Sequence, residues 1–466
     1  MKSWEFFTQN IDPKILTQLK KCNSFGYNLK IIGVSGTVGK TTVAELIAGY
    51  LNFIGKRTFY IGTSGLHCKA ANYNQRNFPS TSPTSVEMLK TFIHGAYFYH
   101  CEYLVIEVTA ETISTGIYDN LDFDLYCFTN LKRNIVRSFK NDKIYLENKL
   151  SIFKRAKVHK VISSFKNSEL NYLLKTLGVN LKLFRQRHFV DRKTCKLTMY
   201  LDDVEYKTNL LSSINAENAA CFYMAIKELE LLNIPLLKQY FNSVIIPGRL
   251  ESLNIAGRQI VIDTGYGGVE GLTPFFKELK NVNIIAVMSS YYFDNDNDFS
   301  ENLKEKRKQR AKLVYDYSKK MVLTTTHRRV KTMSATKEQC VLDQLQKGAP
   351  NAIQIYNRME AIKWAVNNSK PSDLIVLIGT GSETWGKIIS KNTIFIGDAD
   401  YINLLLTNNS ETYTDQIEVD QYDSEIIIPT PWIQLSLIYY LSNKLKSTVA
   451  NCWKQTYKSS IKLNIK

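Results

Sequence analysis

The sequence predicts an α/β protein built on two parallel sheets, and three observations carry that expectation. Short apolar runs of the kind buried in parallel sheets recur between residues 29 and 378, separated by helical segments. The first ends in a Gly-rich turn, Gly33–Thr42, that leads directly into an apolar helix. At Pro247-Gly248-Arg249 the pattern breaks and restarts, as it does at the border between two units.

Taken in order, residues 1–28 hold a short amphipathic stretch and form a separate N-terminal segment. Leu29–Ile32 reads as a strand, Thr42–Leu51 as a helix and Arg57–Ile61 as a second strand ending in Gly62-Thr63-Ser64-Gly65. Tyr103–Ile106 ends in Glu107, and Leu125–Phe128 ends in Thr129-Asn130. In a doubly wound sheet, ligands sit beyond the carboxyl ends of the strands, so Gly33–Thr42, Glu107 and Asn130 belong on one rim. Lys196–Leu210 alternates like a hairpin, and Asn215–Leu232 reads as a helix. Ile260–Asp263, Ile284–Val287, Met321–Thr324 and Leu374–Ile378 supply strands for the second unit. The expected division is 29–245, 246–395 and a C-terminal extension, 396–466, whose early part is acidic.

Composition narrows the class. At 466 residues the chain exceeds one ordinary core, and 44% hydrophobic with 22% charged residues is a globular balance. The longest apolar stretch, Ile426–Leu441, is broken by Pro429, Pro431 and Gln434, and the first residues lack a signal-peptide pattern, so a cytoplasmic protein without membrane insertion is expected. The eight cysteines contain no Cys-x-x-Cys pair and read as reduced, mostly buried thiols. Net charge is +17, but it is scattered. Its one cluster, Lys304, Lys306, Arg307, Lys308, Arg310 and Lys312, reads as a solvated helix face, and nucleic acid is not an expected partner.

The strongest chemical signal is Gly33-Val34-Ser35-Gly36-Thr37-Val38-Gly39-Lys40-Thr41-Thr42. Glycines allow a tight turn that aims successive N–H groups at phosphate oxygens, and the following helix adds its positive end. Lys40 reaches terminal phosphates and the Thr41 hydroxyl suits Mg²⁺, so ATP and Mg²⁺ are the expected cofactors. The fold class is therefore a central P-loop doubly wound domain followed by a second, smaller Rossmann-like α/β domain.

From this loop onward the sequence resembles the Mur ligases, ATP-dependent enzymes that form peptide bonds, and most of all the branch that adds the third residue to muramyl dipeptide. The likeness runs in order through Gly36–Thr42, Thr81-Ser82-Pro83, Glu107-Val108-Thr109, Phe128-Thr129-Asn130-Leu131 and Tyr145–Lys149. It continues through Asn215-x-x-Asn218, Gly248-Arg249-Leu250-Glu251, Asp263, Arg358–Ile362 and Gly379–Glu383. The resemblance implies phosphate contacts from Gly36, Thr37, Gly39, Lys40, Thr41 and Thr42. It implies metal ligation by Thr41, Glu107 and a carbamylated Lys149, with Lys40, Glu107 and Lys149 as the catalytic set. Asn218 would meet adenine, Arg249 phosphate and Asp263 ribose, while Thr81, Ser82, His327, Arg329 and Glu383 would face the substrate.

The sequence also departs from the family. Asn134-Ile135 stands where the family has a metal-binding Asp-His pair, and Thr326-His327-Arg328-Arg329 where it has Asp-Asn-Pro-Arg. Only 32 residues precede Gly33, so the uridine-nucleotide domain of the tripeptide-forming branch is not expected and a different acceptor is. The implied reaction joins a small-molecule carboxylate to an amine through an acyl phosphate, in a monomer or homodimer. The alternative is an ATP-binding pseudoenzyme or nucleotide-gated interaction module derived from such a ligase.

Overall fold

The structure, a computed structural model, describes residues 29–68, 73–75, 81–131, 139, 141–265, 268–279, 281–290, 301–325, 335–379, 388–390, 393–394 and 397–407. The first sheet is formed by β1 (Lys30–Ser35), β2 (Thr58–Gly62), β3 (Gly65–Cys68), β4 (Tyr73–Gln75), β5 (Tyr103–Glu107), β6 (Leu125–Phe128), β7 (Val161–Ser164) and β8 (Leu181–Phe184). Their spatial order is β8-β7-β6-β1-β5-β2-β3-β4. The first six of these run parallel, whereas β3 and β4 extend the edge as an antiparallel hairpin.

Alternation along β1 explains why helices cover both faces. Ile32 and Val34 join one core with helices α1 (Lys40–Phe53), α4 (Ser212–Glu228) and α5 (Ile234–Ser243). Ile31 joins the other, against α2 (Val86–Phe98). Each such fully buried Ile or Val contributes about 1.5–3 kcal/mol, so the central strands are held from both sides. The elements named between α2 and α4 include α3 (Asp142–Leu150), which stands over the C-terminal rim. Strands β9 (Arg187–Val190), β10 (Lys196–Leu201) and β11 (Val204–Leu211) make a small antiparallel sheet of their own.

The second sheet contains β12 (Glu251–Ile255), β13 (Arg258–Asp263), β14 (Ile284–Met288), β15 (Lys320–Leu323), β16 (Ile353–Gln354) and β17 (Leu374–Ile378), ordered β12-β13-β17-β14-β15-β16. Only β12 is antiparallel. One face packs on α6 (Gly268–Glu278), α7 (Glu301–Tyr317) and α8 (Ala335–Gln346). The other packs on α9 (Arg358–Asn367) and α10 (Asp398–Thr407).

Two expectations change here. Helix α10 lies past residue 395, yet Tyr401 and Ile402 are in the core of the second unit, so that unit reaches at least to Thr407. The basic cluster on α7 is not a uniformly solvated face. Lys304, Lys308 and Lys312 pair with Glu301, Glu305 and Asp316 at the surface, but Arg307 and Arg310 turn inward. Arg307 donates to Gln344 (2.8 Å) and Arg310 to the Gly265 carbonyl (2.9 Å), so helical spacing put two of these charges on the packed side. Among the described residues no helix is long and apolar enough to cross a membrane.

Candidate active site

Register aligns Val34 with Glu107 and Ser35 with Phe128, so the ends of β1, β5 and β6 meet at one rim, as the sequence led us to expect. Ser35-Gly36-Thr37-Val38-Gly39 forms the turn there. Gly36 and Gly39 have φ of 138° and 85°, and Gly39 is the N-cap of α1. A Cβ at Gly36 would collide with Thr129 Oγ1, and one at Gly39 with Asn218 Oδ1. Both positions therefore require glycine for conformation and for space.

The turn is braced from β6. Asn130 accepts the Thr37 N–H through its carbonyl (3.0 Å) and the Val38 N–H through its side chain (3.1 Å). Thr129 Oγ1 and Asn130 Nδ2 both donate to the Val38 carbonyl, at 2.6 and 2.9 Å. The N-cap supplies no side-chain acceptor to α1. Its first-turn N–H groups at Lys40, Thr41 and Thr42 thus point out of the helix at the rim, where an anion is stabilised by them and by the helix end. Lys40 Nζ lies over the turn, donating to the carbonyls of Gly36 (3.1 Å) and Thr37 (3.2 Å). Burial pulls its ammonium below the usual lysine value, against the opposing field of Glu107 and Glu111.

Glu107 is fully buried at the end of β5. Oε1 accepts from the Tyr60 hydroxyl and from the Thr63 N–H, each at 2.8 Å. Oε2 lies 3.1 Å from Thr41 Oγ1 and 3.2 Å from Thr63 Oγ1. Burial raises its pKa, against the lowering effects of the Tyr60 bond and the charge of Lys40. Among the described residues no Lys or Arg side chain hydrogen-bonds to it, so a fully buried carboxylate faces two hydroxyl oxygens. Hard oxygen donors of this kind fit Mg²⁺, which is held by one or two carboxylates together with phosphate oxygens. No group of three or more His, Cys, Asp or Glu gathers as a metal cage among the described residues.

A raised carboxyl pKa has a definite sign. The folded chain holds the Glu107 proton more tightly than the unfolded chain, so this group's contribution to stability is complete below the ordinary carboxylate pKa. It is lost as pH rises through Glu107's raised value. At neutral pH, Glu107→Gln should raise the melting temperature of the nucleotide-free chain by a few degrees and remove the effect of Mg²⁺ on ATP affinity. The stability gap should close as pH is lowered; thermal melts against pH check it, and a gap that widens on acidification overturns this reading.

Lys149, on α3, is buried beneath the turn, its Nζ 2.9 Å from the Gly36 carbonyl and 3.3 Å from Ser35 Oγ. It lies over the rings of Tyr145 (5.0 Å) and Phe128 (5.8 Å). Burial, helped by the neighbouring Lys40 charge, holds its pKa well below the usual lysine range. Tyr145 donates to Thr37 Oγ1 (3.1 Å), so α3 also anchors the phosphate turn. Asn218 is on α4, its amide bonded to Asn215 (3.0 Å) and its oxygen packed against Gly39.

The second unit reaches this rim through Arg249. One guanidinium nitrogen donates to Thr41 Oγ1 (3.4 Å), and the other bonds to Thr264 Oγ1 and the Gly248 carbonyl. Asp263 is buried at the end of β13, and its carboxylate accepts the N–H groups of Leu250 (3.0 Å) and Gly265 (2.6 Å). These bonds fix the Gly248–Leu250 turn that presents Arg249. Burial raises the Asp263 pKa, countered first by Arg249.

Of the residues assigned to substrate, Thr81 is half-buried with its hydroxyl 3.2 Å from Thr63 Oγ1. Ser82 is buried and clamps the backbone, donating to the Glu107 carbonyl (2.6 Å) and accepting from the Thr109 N–H (3.2 Å). His327, Arg329 and Glu383 lie outside the described residues, as do Asn134 and Ile135. Sequence reasoning did not single out Tyr60 and Thr63, which bracket the Glu107 carboxylate. The signal available was the Gly62-Thr63 turn at a strand end. A Cβ at Gly62 would collide with Tyr60 Oη and Glu107 Oε1, so glycine there makes room for the pair.

Comparison with known proteins agrees with this geometry. Residues 34–226 match the Mur ligase middle domain. The chain is 26% identical over 406 residues to UDP-N-acetylmuramoyl-L-alanyl-D-glutamate–2,6-diaminopimelate ligase of Helicobacter pylori, covering 82% of this chain and 86% of that one. It is 24% identical over 389 residues to UDP-N-acetylmuramyl-tripeptide synthetase of Borreliella burgdorferi, covering 78% and 73%. The fold is shared with folylpolyglutamate synthase of Mycobacterium tuberculosis complexed with ADP (TM-score 0.56, 15% identity, 80% and 93% covered). It is shared equally with MurF ligase of Thermotoga maritima in complex with ADP (TM-score 0.54, 14% identity, 79% and 81% covered). Motif order, sheet topology and these likenesses converge on the Mur ligases: residues 34–226 match their middle domain, and the chain is similar to one of them over 82% of its length.

Proposed function

We propose that this chain is an ATP- and Mg²⁺-dependent ligase that joins a carboxylate to an amine or amino acid through an acyl phosphate. The observation that carries the proposal is the meeting of Lys40, Thr41 and Glu107 at the end of β1 and β5, with Arg249 of the second unit reaching the same threonine. The carboxylate attacks the γ-phosphorus of ATP and ADP leaves; the amine then attacks the acyl carbon and phosphate leaves. Both steps crowd anions together, so their cost falls chiefly through fixed positive charge and oriented N–H groups.

The residues divide this work. The first-turn N–H groups of α1 and Lys40 bind the phosphate chain, and Asn218 stands at its adenine end. Glu107 and Thr41 would hold Mg²⁺, which supplies neutralising charge between phosphate oxygens. Arg249, presented by the Asp263-braced turn, adds charge from the second unit and closes that unit over ATP. Ser82 positions the Glu107 backbone, while Thr81, His327, Arg329 and Glu383 are assigned to the substrate side. Burial disfavours the ammonium of Lys149 and so favours the free amine, the form that adds CO₂ to give a carbamate. Incubation with labelled bicarbonate should give a carbamate resonance that Lys149→Ala removes, and its absence from the parent chain would drop that assignment.

The reaction class is tested by measuring ADP with a panel of carboxylates and amines offered singly and together. Release that needs both partners, with an amide detected by mass spectrometry, is the expected result. ADP formed equally fast with neither partner present would identify a plain ATPase instead.

A further inference from the structure

We propose that Tyr60 sets how Glu107 meets its cation, by engaging one carboxylate oxygen and leaving the other to bind, and so makes the site prefer Mg²⁺ over Ca²⁺. The inference rests on the reading of Glu107 as a Mg²⁺ ligand and goes beyond it.

The two oxygens of Glu107 stand in different surroundings. Oε1 receives two donors, the Tyr60 hydroxyl and the Thr63 N–H, each at 2.8 Å. A carboxylate oxygen has two lone pairs in its plane, so these bonds occupy it. Oε2 faces the hydroxyls of Thr41 and Thr63 at 3.1 and 3.2 Å. Hydroxyl protons rotate, so Thr41 could turn its proton away from Oε2 and would offer an oxygen to a cation held there. Oε2 is therefore the oxygen that can be released to a metal, and Oε1 is not.

Tyr60 is fixed firmly enough to impose this. Its ring is buried in the first core and stacked on His67, with centroids 5.1 Å apart and planes inclined by 11°. His67 Nε2 lies 3.3 Å from Glu45 on α1, so the stack is tied to the helix that carries Lys40 and Thr41. Single-oxygen ligation suits Mg²⁺, which demands compact octahedral geometry. Ca²⁺ takes more ligands and commonly uses both oxygens of a carboxylate. Tyr60 acts through Glu107 and is a positioning residue.

The test is calorimetric titration of ATP into the full chain with Mg²⁺, with Ca²⁺ and with EDTA, comparing Tyr60→Phe with the parent. Phenylalanine keeps the ring and its stack and removes only the donor. Losses of such outer bonds lower metal affinity by about 10- to 100-fold. In Tyr60→Phe the apparent Mg²⁺ affinity should fall within that range while Ca²⁺ loses less, narrowing the preference, with ATP affinity in EDTA unchanged. Thr63→Val, which removes a hydroxyl from the Oε2 side, should weaken both cations alike and leave the ratio unmoved. An unaltered Mg²⁺-to-Ca²⁺ ratio in Tyr60→Phe, or an equal loss in EDTA, overturns the role of Tyr60 alone. A parent chain whose ATP affinity ignores Mg²⁺ overturns the metal reading of Glu107 and this proposal with it.

Discussion

Lys40→Ala should lower amide formation by about 10²- to 10³-fold, the scale on which removal of one preorganised charge-stabilising donor acts. Lys40 Nζ sits over the Gly36–Thr37 carbonyls, at the mouth of the turn and within the field of Glu107. When ATP binds, this ammonium can exchange two carbonyl acceptors for phosphate oxygens without moving its backbone. The loss should appear in the rate of ADP formation, with the melting temperature of the nucleotide-free chain nearly unchanged, because no buried carboxylate relies on Lys40 for a hydrogen bond among the described residues. A variant that kept a tenth or more of the parent rate would remove Lys40 from the catalytic set.

The second large effect is on stability and lies far from the phosphate turn. Arg358 on α9 and Asp398 on α10 form an ion pair with both side chains wholly buried. Arg358 Nε and Nη2 donate to the two carboxylate oxygens at 2.7 and 2.6 Å, and Nη1 donates to Ser289 Oγ at 3.0 Å. Removing one partner of such a pair strands a charge in the core, at a cost of about 3–5 kcal/mol. Asp398→Ala should therefore lower the unfolding free energy of the second unit by that amount, read as a lower denaturant midpoint at unchanged slope. The double change Arg358→Met with Asp398→Leu should recover most of it, since well-packed apolar residues often replace a buried pair without loss. A single-variant loss below about 1 kcal/mol would contradict the assignment, as the whole magnitude expected of a broken buried pair would be missing.

Much of this molecule is written locally. Central parallel strands are buried on both faces, so Tyr103–Ile106 and Leu374–Ile378 stand out as apolar runs wherever they occur. The phosphate turn is legible because its glycines answer to backbone constraints visible in a single stretch of chain. Strand ends alone put Glu107 and Asn130 on the rim, without any knowledge of which strands pair.

What escaped the sequence depends on contacts between distant segments. Tyr60 meets Glu107 across 47 positions, and no periodicity in either strand encodes that bond. Ser82 resembled a substrate residue by motif, yet its hydroxyl is engaged by backbone on either side of Val108. Charge density made α7 read as solvated, but Arg307 and Arg310 fall on the helix face that packs, where Gln344 and the Gly265 carbonyl accept their protons. The acidic start of the C-terminal stretch concealed Asp398, whose role is apparent only when Arg358 is seen beside it. The edge hairpin β3–β4 is short, and its pairing with β2 is set by the turn at Gly62–Gly65 rather than by an apolar run.

One physical arrangement underlies the proposed activity: a phosphate chain held by the N-terminal turn of α1 with Glu107 and Thr41 beside it. Calorimetric titration of ATP into the chain, with and without Mg²⁺, tests it most directly. The expected result is saturable binding at one site per chain, tightened by Mg²⁺ in the parent and no longer tightened by it in Glu107→Gln. Absence of binding heat under both conditions, or identical Mg²⁺ dependence in parent and variant, would contradict it.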